Sequence, residues 1–195
     1  MTSNAQAVQA AHRTSNAISR IARQVSPALT ATAAGLAATG IATGLVEYLH
    51  RSPIREAHAP GTSAWAQQFI VAAVACTLYA VARWRRGRRL GRGSGRLLLL
   101  APLGRSAAAR LMATARKASW RTAAALPLLV VIAYGFWRAG EQVTGGLNPN
   151  FTANAWGGPS YLGAMACHYL DIAVGIAASA WLLDKILPEA TAAGG

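Results

Sequence analysis

The stretch Phe69-Ile70-Val71-Ala72-Ala73-Val74-Ala75-Cys76-Thr77-Leu78-Tyr79-Ala80-Val81-Ala82 carries no charge, and then breaks into Arg83-Trp84-Arg85-Arg86-Gly87-Arg88-Arg89. The apolar half predicts a membrane-crossing helix, because a hydrocarbon core of about 30 Å is spanned by about 20 helical residues. The basic half predicts its orientation, since cytoplasmic loops of membrane proteins accumulate Lys and Arg. From Arg83 to Arg121 there are twelve Lys or Arg residues and not one Asp or Glu. Gly91, Gly93 and Gly95 punctuate the middle of that run.

Outward from this junction, the chain repeats the pattern. Hydrophobic residues make up 53% of the 195 and charged residues only 13%, roughly half the share of a soluble domain. Spans are expected at about 28–49, 64–82, 122–140 and 161–183, with a basic cytoplasmic loop at 83–121 and an outer loop at 140–160. The fold class this implies is all-α: an integral membrane four-helix bundle, with an additional cytoplasmic or interfacial helix in the central loop. That extra helix is expected between Leu103 and Trp120, after a short apolar patch at Leu97 to Leu100. A polar, basic N-terminal segment (1–26) and a short C-terminal tail (186–195) complete a four-span domain at 27–185. Both termini are then cytoplasmic, and the multi-pass membrane is read as the plasma membrane of a bacterium, from the Ala, Gly and Arg enrichment.

The first span is weakly hydrophobic and rich in small residues, and Gly40-Ile41-Ala42-Thr43-Gly44 is a GxxxG pattern. Such residues let helix backbones approach closely in lipid. Gly40 and Gly44, with Gly175 and Ser179 on the fourth span, are therefore candidate packing positions, used within one chain or in a homo-oligomer. Tryptophan placement agrees with the topology, because aromatic side chains favour the membrane interfaces. Trp65, Trp137 and Trp156 fall at the outer boundary and Trp84, Trp120 and Trp181 at the inner one. The net charge of +13 raises nucleic acid as a partner. Its confinement to one loop is explained by the positive-inside rule instead, and that loop either contacts anionic lipid headgroups, through Arg83, Arg85, Arg86, Arg88 and Arg89, or packs beneath the bundle as a plain connector.

Ionisable groups in or beside a span are costly and point to function. Here they gather at the outer side: Glu47 and His50 end the first span, Arg138 and Glu141 end the third, and His168 and Asp171 lie on the fourth. Asp171 comes ten residues after Tyr161, about 15 Å along the helix, and is expected near mid-membrane. His168 and Asp171 stand at i, i+3, while Glu47 shares a face with Gly40 and Gly44. A shared outer pocket of Glu47, His168 and Asp171 follows as an expectation. The competing structural reading pairs the same groups along their own helices, Glu47 with Arg51, Arg138 with Glu141 and His168 with Asp171.

Enzyme signatures are missing: no GxSxG, HExxH or Walker A motif occurs, and Gly91-Arg92-Gly93-Ser94-Gly95 lacks the phosphate-loop spacing. Cys76 and Cys167 sit in apolar stretches without metal-ligand spacing. No cofactor is expected; metal at Glu47, His50, His168 and Asp171, or haem between His50 and His168, rests on residue type alone. The expected function is a non-enzymatic accessory, scaffold or assembly subunit with a membrane-protein partner; the alternative is a small transporter, channel or ion-binding protein using the outer pocket. A catalytic site is the third and needs a nucleophile that the sequence does not display.

The charge bias makes a testable prediction. Reporter tags at both termini and a cysteine at Gly93 should report cytoplasmic, and a cysteine at Asn154 external, by labelling with a membrane-impermeant thiol reagent. Labelling of position 154 only after the cells are permeabilised would reverse the orientation.

Overall fold

The computed structural model describes residues 25–90, 103–117 and 119–188, and of Arg86, Arg89 and Leu90 the backbone only. The polar N-terminal segment up to residue 24, the glycine-punctuated run with the Leu97 to Leu100 patch, and the end of the tail lie outside the described residues. Among the described residues there are six helices and no strand: α1 (Pro27–Leu49), α2 (Trp65–Leu90), α3 (Arg105–Ala115), α4 (Trp120–Gly145), α5 (Pro149–Thr152) and α6 (Tyr161–Ile186). Four of them, α1, α2, α4 and α6, are long and apolar enough to cross a membrane.

Local sequence explains the ends of these helices. Ser26 caps α1 by accepting from the Leu29 amide, with Pro27 in the first turn, where its missing N–H costs nothing. The threonines that make α1 look weakly apolar are satisfied internally: Thr30, Thr32 and Thr43 donate to carbonyls four residues back, and Thr39 to the carbonyl three back. A hydroxyl bonded to its own helix leaves little polarity facing outward. Ser160 caps α6 through the Gly163 amide. Three helices outrun their expected spans: α2 continues through the arginines to Leu90, α4 crosses Pro127 and continues to Gly145, and α6 runs three residues further, to Ile186.

The tightest packing joins α1 to α4. A Cβ on Gly40 would fall on the Trp137 carbonyl and 2.8 Å from the Glu141 nitrogen; one on Gly44 would fall on the Glu141 carbonyl and 2.6 Å from the Gly145 nitrogen. Gly140 on α4 faces the Ala37 backbone in the same way. The Thr144 hydroxyl donates across the seam to the Ile41 carbonyl at 2.7 Å. α4 in turn packs on α6, where Gly135 receives Ile176, and Tyr169 and Tyr161 donate to the Ala139 and Val143 carbonyls at 3.1 and 3.3 Å. α2 packs mainly against α6 and does so sparsely. The four long helices thus follow the contact order α1, α4, α6, α2.

The sequence-expected packing positions divide. Gly40 and Gly44 are at the helix seam, and Ser179 is buried. Gly175 is not at a close contact: a Cβ there meets nothing within 4 Å, because α6 turns Gly135's neighbours Ile172 and Ile176, not Gly175, toward α4.

At the basic end, α3 is docked rather than free. Arg110 donates to the Asp184 carboxylate at 2.5 Å and to the carbonyls of Asp184, Leu187 and Pro188 at 2.8, 2.7 and 2.8 Å. A cation holding the last carbonyls of α6 satisfies acceptors that the helix cannot bond itself and suits the negative end of its dipole. Leu111 packs on a buried cluster of Ala125, Leu183 and Leu187. The Thr122 hydroxyl donates to the Thr114 carbonyl, and Ser26 N–H to the Leu103 carbonyl at 2.7 Å, tying α3 to the starts of α4 and α1. Arg83, Arg85 and Arg88 on α2 are exposed, and Arg88 lies 4.3 Å over the Trp84 ring; the Arg86 and Arg89 side chains lie outside the described residues.

The two glycines that differ in their surroundings give the test. Gly40→Ala should destabilise the purified protein by about 1–3 kcal/mol through overpacking. Gly175→Ala should be neutral or stabilising, by up to about 1 kcal/mol from helix propensity. Thermal unfolding in mild detergent measures both, and equal melting temperatures for the two variants would contradict the seam.

Candidate functional site

The opposite end of the molecule is capped by two loops, residues 50–64 and 146–160, joined by side-chain to backbone bonds. Asn150 accepts from the Glu56 amide at 2.9 Å and donates to the Ile54 carbonyl at 2.8 Å. Asn154 accepts from the Ala59 amide at 2.9 Å, and His58 Nδ1 lies 2.7 Å from the Ala153 carbonyl. The Ala64 amide donates to the Trp156 carbonyl at 2.8 Å, just before α2 begins. The asparagines of the uncharged loop therefore act as backbone surrogates, each serving one loop from the other. Gly157 makes the closure possible: a Cβ there would fall on the Gly163 carbonyl. Gly158 follows with φ of 82°, a region open to glycine at no steric cost.

Beneath this cap lies an open cleft of about 470 Å³, lined by Glu56, Arg138, Asn150, Phe151, Asn154, Ala155, Trp156, His168 and Asp171. Three of the six sequence candidates, Arg138, His168 and Asp171, meet there. The other three do not line it. Glu47 is the main departure from the expected Glu47, His168 and Asp171 pocket. The close α1–α4 seam delivers its carboxylate to α4, with Oε2 3.3 Å from the Cβ position of Gly145. α6, which carries His168 and Asp171, packs on α4 from elsewhere. His50 caps the end of α1, exposed, its Nδ1 2.9 Å from the Val46 carbonyl. Glu141 is 3% exposed and paired with Arg138.

The intrahelical pairings expected from spacing also divide. Arg138 and Glu141 do form an ion pair. Arg51 instead donates to the Tyr48 carbonyl and lies 4.0 Å over the Tyr48 ring. Asp171 takes its partner from another helix: Gln68 Nε2 on α2 donates to both carboxylate oxygens, each at 3.2 Å. Gln68 stands only three residues into α2, about 5 Å from its start. That pairing sets the Asp171 carboxylate beside the first turn of α2. His168 lies beside the Phe151 ring, centroids 6.3 Å apart, and Arg138 lies over the same ring, 5.0 Å from its centroid.

Sequence reasoning missed Gln68, Glu56, Phe151 and the two asparagines as site residues. Gln68 carried a signal, since an amide inside an apolar run is itself a costly group in search of a partner. Glu56 and the asparagines carried none, because loop-to-loop pairing over more than ninety residues has no periodicity. Two buried amides stand out. Gln68 is 4% exposed and its Oε1 has no partner; Gln142 on α4 is fully buried and neither side-chain atom has one. Among the described residues, no group of three or more His, Cys, Asp or Glu comes together in a way that could hold a metal ion. The cleft gathers charged, amide and aromatic groups around one concavity. No known protein family, no curated protein and no solved structure matches this chain.

Proposed function

We propose that this is a non-enzymatic multi-pass protein of the plasma membrane that binds a small polar ligand in its capped cleft. The basic end, with both termini, is placed in the cytoplasm, and the cleft opens to the outside. The observation that carries the reading is the convergence of Arg138, His168 and Asp171, from two helices, with Glu56, Phe151 and Trp156 from the two interlocked loops. Sites of this kind combine an apolar lining with a few convergent polar groups. Charged groups near a span are retained at a cost, which is further support for a role. The orientation rests on the twelve basic residues between Arg83 and Arg121.

A second reading, an accessory or assembly subunit, draws on a different feature. α2 presents Phe69, Ile70, Val74 and Leu78 outward and packs sparsely on its neighbours. Such a face suits a partner helix as well as lipid, and the reading predicts a protein that co-purifies with the chain and is lost on substitution of those four residues. It leaves the cleft without a task.

A ligand that binds only the folded state stabilises it by about 2.7 kcal/mol at 100 times its Kd. A panel of amino acids, amines, sugars, carboxylates and inorganic ions, scanned by thermal unfolding of the detergent-purified chain, should therefore raise the melting temperature for at least one class. Asp171→Leu should abolish that rise. A panel that stabilises wild type and Asp171→Leu equally, or neither, contradicts a cleft function.

A further inference from the structure

The charges of the cleft are unequally satisfied. Its arginine is engaged, since Arg138 pairs with buried Glu141 and lies over Phe151. Its two carboxylates, Glu56 and Asp171, have no cationic partner; among the described residues the ion pairs are Arg110 with Asp184 and Arg138 with Glu141. Asp171 is held by a neutral amide, which fixes the carboxylate in place without cancelling its charge. The other end of that amide, Gln68 Oε1, is a buried acceptor with no partner, on the same side chain that grips Asp171. The remaining lining adds two aromatic rings, Phe151 and Trp156, the latter 56% exposed.

Unneutralised carboxylates and an accessible indole in one concavity are the chemistry that recognises an ammonium group: the carboxylate attracts the charge, and the ring face attracts the polarised methyl or N–H surface. A free carboxylate ligand would approach two like charges with the only arginine already paired. A hard divalent cation needs about six to eight converging oxygens, and no such ligand cluster forms among the described residues.

We infer that the cleft takes a small organic cation, a primary amine or quaternary ammonium compound, with its charged head at Asp171 and Glu56 and its apolar part against Trp156. The inference rests on the cleft-binding reading above and narrows it to one ligand class. The His168 imidazole and the amide donors of Asn150 and Asn154 border the same space and leave room for a ligand that also carries a hydroxyl.

The full chain, purified in an uncharged maltoside detergent, is titrated with choline chloride and tetramethylammonium chloride, with sodium acetate and glucose as controls at matched ionic strength. Detergent is preferred because a phosphatidylcholine bilayer would itself present the probe's headgroup. Isothermal calorimetry should give saturable binding of the two ammonium probes alone, weakened about tenfold by Asp171→Asn and by Trp156→Ala. Trp156 is an exposed side chain, so its truncation tests the site even if Asp171→Asn unfolds the protein. Saturable binding of acetate or glucose without the ammonium probes would overturn the inference and leave a ligand cleft standing. Ammonium binding untouched by either substitution would overturn it as well, by placing the cation elsewhere. If no probe binds to protein that still melts cooperatively, the ammonium assignment fails, and the wider panel decides separately whether the cleft has a ligand.

Discussion

Backbone-to-backbone contact between α1 and α4 governs the rest of this molecule. Without a hydrophobic drive between helices in lipid, association depends on close packing and interhelical bonds. Gly40, Gly44 and Gly140 remove the side chains that would keep the two backbones apart, and Thr144 adds a bond across the seam. That seam sets the position of Glu47 beside Glu141, which also holds Arg138. Arg138 is then a fixed wall of the cleft. The glycine pattern is consumed inside the chain, so it is not free to serve as a dimer face.

Much of the architecture was legible because it rests on local quantities. The apolar runs near Phe69 and Val130 are long enough to span, and the arginine run after Ala82 ends an apolar stretch. Helix ends were harder to place, since arginine is a good helix former and the backbone of α2 simply continues through Arg83 to Arg89. Gly175 was misjudged for a related reason: spacing tells which residues share a face, but not which face meets a neighbour.

The site was only partly legible. Spacing placed Arg138 with Glu141 and brought His168 and Asp171 to one region, yet it could not reveal that Asp171 answers to Gln68 on a helix a hundred residues earlier. It also could not separate Glu47 from the cleft, because that depends on α4 lying between α1 and α6. The outer loop is ordered by the pair Asn150 and Asn154 reaching the preceding loop. Long-range pairs between irregular segments leave no periodic trace, while the spacing of Gly40 and Gly44 does.

The seam has a direct measurement. Glu47 Oε2 lies 3.3 Å from the Cβ position of Gly145, so cysteines placed at 47 and 145, in a chain whose Cys76 and Cys167 are replaced by alanine, lie within the span of a flexible bis-maleimide crosslinker. Treatment of membranes with that crosslinker followed by denaturing electrophoresis should yield an internally bridged monomer, seen as a mobility shift and as protection of both thiols from a second, mass-tagged maleimide. Crosslinked dimers in place of that monomer would contradict the account, because they would put the glycine face of α1 between chains rather than against α4.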